Sequence, residues 1–118
     1  MHEIGLCEGV LESVRRRAAG RRVNRVRLRV GVRHRVDPAS MAQGFAFVAQ
    51  GTEADGAQVD LVAVPARLAC TACRYDGDTL DLLATCPRCG SDRVAVTGGD
   101  ELILESIEYA PPATGPAG

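Results

Sequence analysis

The chain has 118 residues, 46% hydrophobic and 25% charged, with a formal net charge of −1. This leaves room for one domain or two small lobes with an ordinary globular core. The near-zero charge gives no strong field for nucleic acid or membrane, and no apolar run is long enough to span a bilayer.

In chain order, residues 3–19 read as a helix. Ile4, Cys7, Leu11, Val14 and Ala18 recur at steps of three and four, which puts them on one face. Cys7 then reads as a small buried hydrophobe. Arg15 to Arg17 fall near the helix C-terminus, where cations are favoured, and Gly20 is the expected stop. Residues 23–33 read as a strand: Val26, Leu28, Val30 and Val32 alternate with Arg25, Arg27, Arg29, Gly31 and Arg33. All fourteen Lys/Arg residues are Arg, and ten of them lie between positions 15 and 35. The Arg face is either a solvated sheet face or a docking surface for an acidic protein. Two Phe, two Tyr and no Trp are few aromatics for stacking bases, so nucleic acid is not the expected partner.

Asp37-Pro38 has the pattern of a helix start, with an N-cap acceptor and then proline at the first helical position. Met41, Phe45 and Val48 form its apolar face, backed by Ala42, Ala46 and Ala49, and Gly51 closes it. Asp55-Gly56 turns the chain. Val59, Leu61 and Ala63 alternate as a second strand that ends at Pro65. Asp76-Gly77-Asp78 reads as a turn, Val94 and Val96 as a short strand, and Gly98-Gly99 as a flexible joint. Residues 101–109 form a last strand. Their Leu, Ile and Tyr content needs more cover than a small metal lobe offers, which assigns them to the first lobe's sheet. The Pro- and Gly-rich end from Pro111 reads as disordered.

The strongest chemical signal is Cys70-Thr-Ala-Cys73, followed after twelve residues by Cys86-Pro-Arg-Cys89. Two Cys-x-x-Cys pairs can bring four thiolates to one ion, and Zn²⁺ suits four soft sulfurs in a tetrahedron. Disulfides and an iron or redox site are the alternatives. A Cys₄ set leaves no open coordination position, so it is structural rather than catalytic. A lobe of about thirty residues has too little core to stand without such a cross-link. Pro87 and Gly90 suit the second knuckle's turn. Cysteines used as metal pairs fit a reducing compartment. The opening residues lack the basic and apolar regions of a signal peptide, so a cytoplasmic protein is expected.

The second candidate site is the opening Met1-His2-Glu3. The α-amine is easily made neutral by a binding metal. The His2 imidazole lies one residue away, and the His2 amide lies between them. These nitrogens chelate in fused rings and favour square-planar Ni(II) or Cu(II), with the Glu3 amide or carboxylate completing the set. A chance solvent-exposed histidine is the plainer alternative. His34 is either a further ligand, a partner contact or a solvated side chain. No Ser/His/Asp set, carboxylate pair or phosphate-cradling loop appears, so an enzyme is not expected. A zinc-ribbon module binding nucleic acid or protein is the competing reading.

Together these features resemble the HypA/HybF family of hydrogenase-maturation nickel metallochaperones. The matching stretches are Met1-His2-Glu3-Ile4-Gly5-Leu6, Val30-Gly31, Phe45-Ala46-Phe47, Gly51-Thr52 with Asp55-Gly56-Ala57, both Cys pairs with Gly90, and Glu105-Ser106-Ile107-Glu108. The second helix departs from the family's usual Pro-Glu start with Pro38-Ala39. The resemblance implies an α+β fold: a small N-terminal α/β lobe, with a three-stranded sheet and two helices, and an inserted Cys₄ zinc-ribbon lobe. The implied domains are 1–66 plus 98–110 for the nickel lobe, 67–97 for the zinc lobe and 111–118 for the tail. It implies nickel at Met1, His2 and Glu3, and zinc at Cys70, Cys73, Cys86 and Cys89. Implied partners are a HypB-type GTPase and the [NiFe]-hydrogenase large subunit, with urease served in some members. The carrier would be a monomer or homodimer, with no membrane and no nucleic acid among its partners.

Overall fold

The computed structural model of the chain describes residues 2–82 and 85–111, and of His2 the backbone alone. Its elements in order are α1 (His2–Ala18), β1 (Val23–Gly31), a 3₁₀ turn (Val32–His34), α2 (Pro38–Val48), β2 (Gln58–Val64), β3 (Ala66–Cys70), β4 (Asp76–Thr79), β5 (Val94–Gly98) and β6 (Leu102–Tyr109). They form two three-stranded sheets, ordered β2-β1-β6 and β4-β3-β5. This is the expected α+β architecture, with the last strand in the first sheet and the cysteine pairs on a small sheet of their own. The chain divides into two compact units. One holds Met1–Arg27, Pro38–Asp60 and Leu104–Gly118, and the other holds Leu28–Asp37 and Leu61–Ile103. Apart from Pro111, the expected disordered tail lies outside the described residues.

The core of the first unit follows the helical period. Cys7, Val10, Val14 and Ala18 of α1 are buried, at the three- and four-residue steps that one helix face requires. Val10 takes the central place expected for Leu11, which is half-buried. The helix ends in two left-handed residues, Ala19 (φ 49°) and Gly20 (φ 88°), so the stop begins one residue before the glycine. Met41 and Phe45 of α2, and Ala49 just after it, are fully buried. Gly44 sits between them because α1 comes close: a Cβ there would lie 3.0 Å from Cys7 Sγ and 3.4 Å from Ile4 Cδ1. Phe45 is the largest fully buried side chain of the fold. Phe45→Ala is expected to lower stability by about 3–5 kcal/mol, because both transfer energy and packing are lost. Urea unfolding followed by circular dichroism checks this.

In β1 the predicted alternation holds through Val26, Leu28 and Val30, which are 0–3% exposed. The strand stops at Gly31 instead of running to Arg33, and Val32–His34 forms a 3₁₀ turn closed by Arg35 in the left-handed region (φ 52°). The cause is a close backbone crossing within the second unit. Gly31 N–H donates to Glu101 O and Arg33 N–H to Gly99 O, both at 2.7 Å. An Arg33 guanidinium N–H reaches Val96 O at 3.0 Å. Gly98-Gly99, expected to be a flexible joint, is part of this hydrogen-bonded crossing. Both residues have positive φ, 71° and 73°, which is the reason glycine is needed there.

The edge strand β2 keeps the expected span, but its buried residue is Val64, while Ala63 is exposed. The predicted turn at Asp76-Gly77-Asp78 is a strand, β4, paired antiparallel to β3. Arg67 of β3 explains it: its Nε meets Asp76 at 2.8 Å and its Nη1 meets Asp78 at 3.1 Å. One planar guanidinium fork thus adds cross-strand contacts to the ladder pairing of a sequence with poor intrinsic strand preference.

Two arginines of the β1 face, Arg25 and Arg27, pair with acidic residues on the neighbouring strands. Arg25 pairs with Asp60 at 3.4 Å and donates to Gln58 at 2.7 Å, while Arg27 pairs with Glu105 at 3.1 Å. The flanking arginines are also engaged. Arg15 pairs with Glu53 at 2.6 Å, Arg17 donates to Leu104 O, and Arg22 donates to Asp55 O. Arg21 stacks 3.8 Å over the Tyr109 ring. Exposed pairs of this kind are individually worth about 0–1 kcal/mol, and those between β1 and its neighbours add cross-strand contacts. Among the described residues, no helix is long and apolar enough to cross a membrane.

Candidate metal centre

The two cysteine pairs come together at the end of the β4-β3-β5 sheet. Cys70 closes β3, which is paired on both sides, to β4 and to β5. From there two knuckles are built alike. Cys70 N–H donates to Tyr75 O and Cys86 N–H donates to Ser91 O, each at 2.8 Å. Each turn passes through a left-handed residue four positions after its first cysteine: Arg74 (φ 64°) and Gly90 (φ 79°). Glycine takes that conformation without cost; the first knuckle accepts it on an arginine, a position that composition does not reveal. Thr71 N–H donates to Arg93 O at 3.0 Å and ties the first knuckle to the approach to β5.

The sulfurs cross between knuckles. Cys70 Sγ lies 3.7 Å from Cys89 Sγ, and Cys73 Sγ lies 3.7 Å from Cys86 Sγ. All four lie within 4.8 Å of one another. A tetrahedron with Zn–S bonds of about 2.3 Å has S···S edges of about 3.8 Å, so the donor set fits zinc in number, type and spacing. Cys70 and Cys86 are buried, Cys73 is half-buried and Cys89 exposed.

The proton balance of the cluster points the same way. For Cys86, burial pushes the thiol up, but the N–H groups of Cys89 and Arg88 and the neighbouring Cys73 thiol outweigh it and lower the pKa to about 7. The Arg88 N–H lies 3.3 Å from the Cys86 sulfur. Cys73 is pushed up to about 12 by burial and by its contacts with Cys89, Cys86 and Cys70. One sulfur gives up its proton easily and another resists. This is expected where four thiols share a space that holds several negative charges only if a cation joins them.

The fifth cysteine is separate. Cys7 is fully buried, with its sulfur 3.4 Å from Met41 O and 3.7 Å from Met41 Sδ. Burial and then Glu3 raise its pKa. It is the packed, inert thiol expected from its place on the helix face.

At the opening of the chain, α1 begins at His2. Met1 lies outside the described residues, and Glu3 is half-buried in the first helical turn. His34 belongs to the second unit. It is half-buried, with Nε2 2.9 Å from Asp100 O; to donate to that carbonyl, the ring carries its proton on Nε2. The Gly31–Gly99 crossing brings it to that backbone acceptor.

Comparison with known proteins places this architecture. The family described as hydrogenase/urease nickel incorporation, metallochaperone, hypA matches residues 1–109. The hydrogenase maturation factor HypA of Alkalilimnicola ehrlichii is 40% identical over 111 residues, covering 92% of this chain and 98% of the relative. Its counterpart in Acidithiobacillus ferrooxidans is 34% identical over the same length and coverage. The solution structure of the Ni metallochaperone HypA from Helicobacter pylori superposes with a TM-score of 0.57, at 24% identity over 92% of this chain and 97% of that one. That last likeness speaks for the fold. With the family match running from the first residue through both cysteine knuckles to the end of β6, the chain belongs to the HypA family of nickel metallochaperones for hydrogenase maturation.

Proposed function

We propose that this chain carries Ni(II) at its opening residues and holds a structural zinc in its cysteine cluster. It binds metal for delivery and catalyses no reaction. The Met1 amine, the His2 amide and imidazole, and Glu3 through its amide or carboxylate form the nickel chelate. Cys70, Cys73, Cys86 and Cys89 hold zinc. Residues 1–66 with 98–110 act as the nickel lobe and 67–97 as the zinc lobe. Bound zinc supplies a cross-link in place of a hydrophobic core. The recipient is the large subunit of [NiFe]-hydrogenase, or urease, and a HypB-type GTPase is the working partner, in the cytoplasm.

What supports this reading is that α1 begins at His2, so the His2 and Glu3 amides lie in its first turn. The first backbone N–H groups of a helix have no intrahelical acceptor. Deprotonating the His2 and Glu3 amides therefore breaks no helix bond. The positive end of the helix dipole also favours the resulting amidate charges. A chelate at a chain end exchanges ligands more readily than a closed Cys₄ cage, as transfer requires.

The test is nickel titration of untagged protein with its native terminus. About one Ni(II) per chain with a diamagnetic square-planar spectrum is expected. Acetylating the amine, or His2→Ala, should abolish that spectrum while zinc content stays constant. Unchanged nickel uptake after acetylation would sink the reading.

A further inference from the structure

The four cysteines of the cluster are not equally sheltered. Cys70 and Cys86 are each 3% exposed, Cys73 is half-buried and Cys89 is exposed. Cys89 also lies in an open stretch: Pro87, Arg88 and Gly90 beside it are exposed, and a Cβ on Gly90 would meet nothing within 4 Å. Cys70 is the opposite case. It is fixed at the end of β3, the middle strand of its sheet, and its N–H donates to Tyr75 O at 2.8 Å. A sulfur contact joins the two across the knuckles, with Cys89 Sγ 3.7 Å from Cys70 Sγ. Cys86, the other cysteine of the second knuckle, instead meets Cys73 at 3.7 Å and accepts the Arg88 N–H at 3.3 Å.

We propose that Cys89 is a peroxide-reactive site, and that its oxidation links it to Cys70 and releases zinc, so that the cluster is a reversible redox switch. This rests on the zinc reading above and goes beyond it. Metal-bound cysteines are thiolates, the nucleophilic form. Among four such sulfurs, access decides which one meets an oxidant first. The Cys89 thiolate attacks one oxygen of the peroxide. The O–O bond breaks, the sulfur becomes a sulfenic acid, and the other oxygen leaves as hydroxide and takes up a proton. The Cys70 thiolate then attacks the Cys89 sulfur. The S–S bond forms, the S–O bond breaks, and a second hydroxide leaves and is protonated. Two thiolates have lost two electrons, and the peroxide with two protons has become two waters. Only Cys73 and Cys86 then remain, too few to retain an ion that needs four ligands. The disulfide joins the same two knuckles that the metal joined, and a dithiol reverses it by exchange.

The experiment treats the zinc-loaded full chain with increasing hydrogen peroxide and reads released zinc with a chromogenic chelator. Remaining thiols are blocked, and the chain is digested with trypsin without reduction for mass spectrometry. Cleavage after Arg67, Arg74, Arg88 and Arg93 puts Cys70 with Cys73, Cys86 alone and Cys89 alone on separate peptides. Cys89 should lose its free thiol first, and peptide 89–93 should appear linked to peptide 68–74, with fragmentation assigning the link to Cys70. Bound zinc should fall from about one per chain to near none in step with that link, while Cys7 stays reduced. Dithiothreitol with added zinc should break the link and restore the metal. First loss at another cysteine, or a link from Cys89 to Cys86 or Cys73, overturns the proposal. So does zinc that stays bound through a large excess of peroxide. A chain isolated without zinc, and taking none up, sinks the zinc reading itself; retention of zinc under peroxide sinks only the switch.

Discussion

Cys86→Ser is expected to lose its zinc and with it the ordered second sheet. Cys86 is 3% exposed. It accepts the Arg88 N–H at 3.3 Å and touches Cys73 Sγ at 3.7 Å, so it anchors the second knuckle as well as supplying a ligand. Serine has the right size for the turn, but its hydroxyl does not replace a thiolate on zinc. Structural zinc contributes on the order of 10–16 kcal/mol of apparent binding free energy, more than the few buried side chains of the β4-β3-β5 sheet can replace. Amide spectra of the variant should therefore lose dispersion over residues 66–98, while α1 and α2 keep theirs. Zinc measured by atomic absorption should fall from about one per chain to near none. Acidification of the unsubstituted protein should release zinc too, since protons compete for the same sulfurs. In a thiol-reagent assay, chelation should expose four reactive sulfurs and leave Cys7 silent until the first unit unfolds. Full zinc occupancy in Cys86→Ser, or a reactive Cys7 in the folded chain, contradicts this account.

Gly31→Ala is the second large effect, and its cause is contact rather than conformation. Gly31 has φ −67° and ψ 146°, which alanine adopts freely. A Cβ there would lie 2.1 Å from Gly99 O, 2.2 Å from Gly99 C and 2.7 Å from Asp100 N. All three are backbone atoms, and no side-chain rotation relieves them. The crossing must open, and it loses the two 2.7 Å hydrogen bonds between the Gly31–Arg33 and Gly99–Glu101 segments. Overpacking together with broken backbone bonds should cost about 3 kcal/mol or more. Gly20→Ala is the control: φ is +88°, with nothing within 4 Å of the added Cβ. It should cost only the left-handed penalty of about 1 kcal/mol. Equal losses in urea unfolding for the two substitutions would show that the crossing is not tight.

Much of this molecule is written in local pattern. Steps of three and four along α1 pick out Cys7, Val14 and Ala18. Asp37-Pro38 marks the start of α2. Alternation selects Val26, Leu28 and Val30, and two Cys-x-x-Cys pairs announce a four-sulfur cluster. These features are legible because each depends on residues a few positions apart, whose geometry the helix, the strand or the knuckle turn dictates. The proposed chelate at Met1-His2-Glu3 is likewise local, since consecutive nitrogens need no fold to bring them together.

What the tertiary structure alone decided rests on residues distant in sequence. Asp76-Gly77-Asp78 is a strand because it pairs with β3, where Arg67 meets both carboxylates. Arg25 and Arg27 of β1 are paired because Asp60 and Glu105 arrive on the neighbouring strands. β1 ends at Gly31, and Gly98-Gly99 is a close crossing, because two backbones meet there with no space for a Cβ. α1 comes close to α2 at Gly44, where a Cβ would meet Cys7 and Ile4. In each case the deciding partner lies tens of positions away or on another element, beyond what periodicity can report. Short-range geometry specifies the elements and the cysteine pairs, and only packing shows which charges are already paired and which backbones touch.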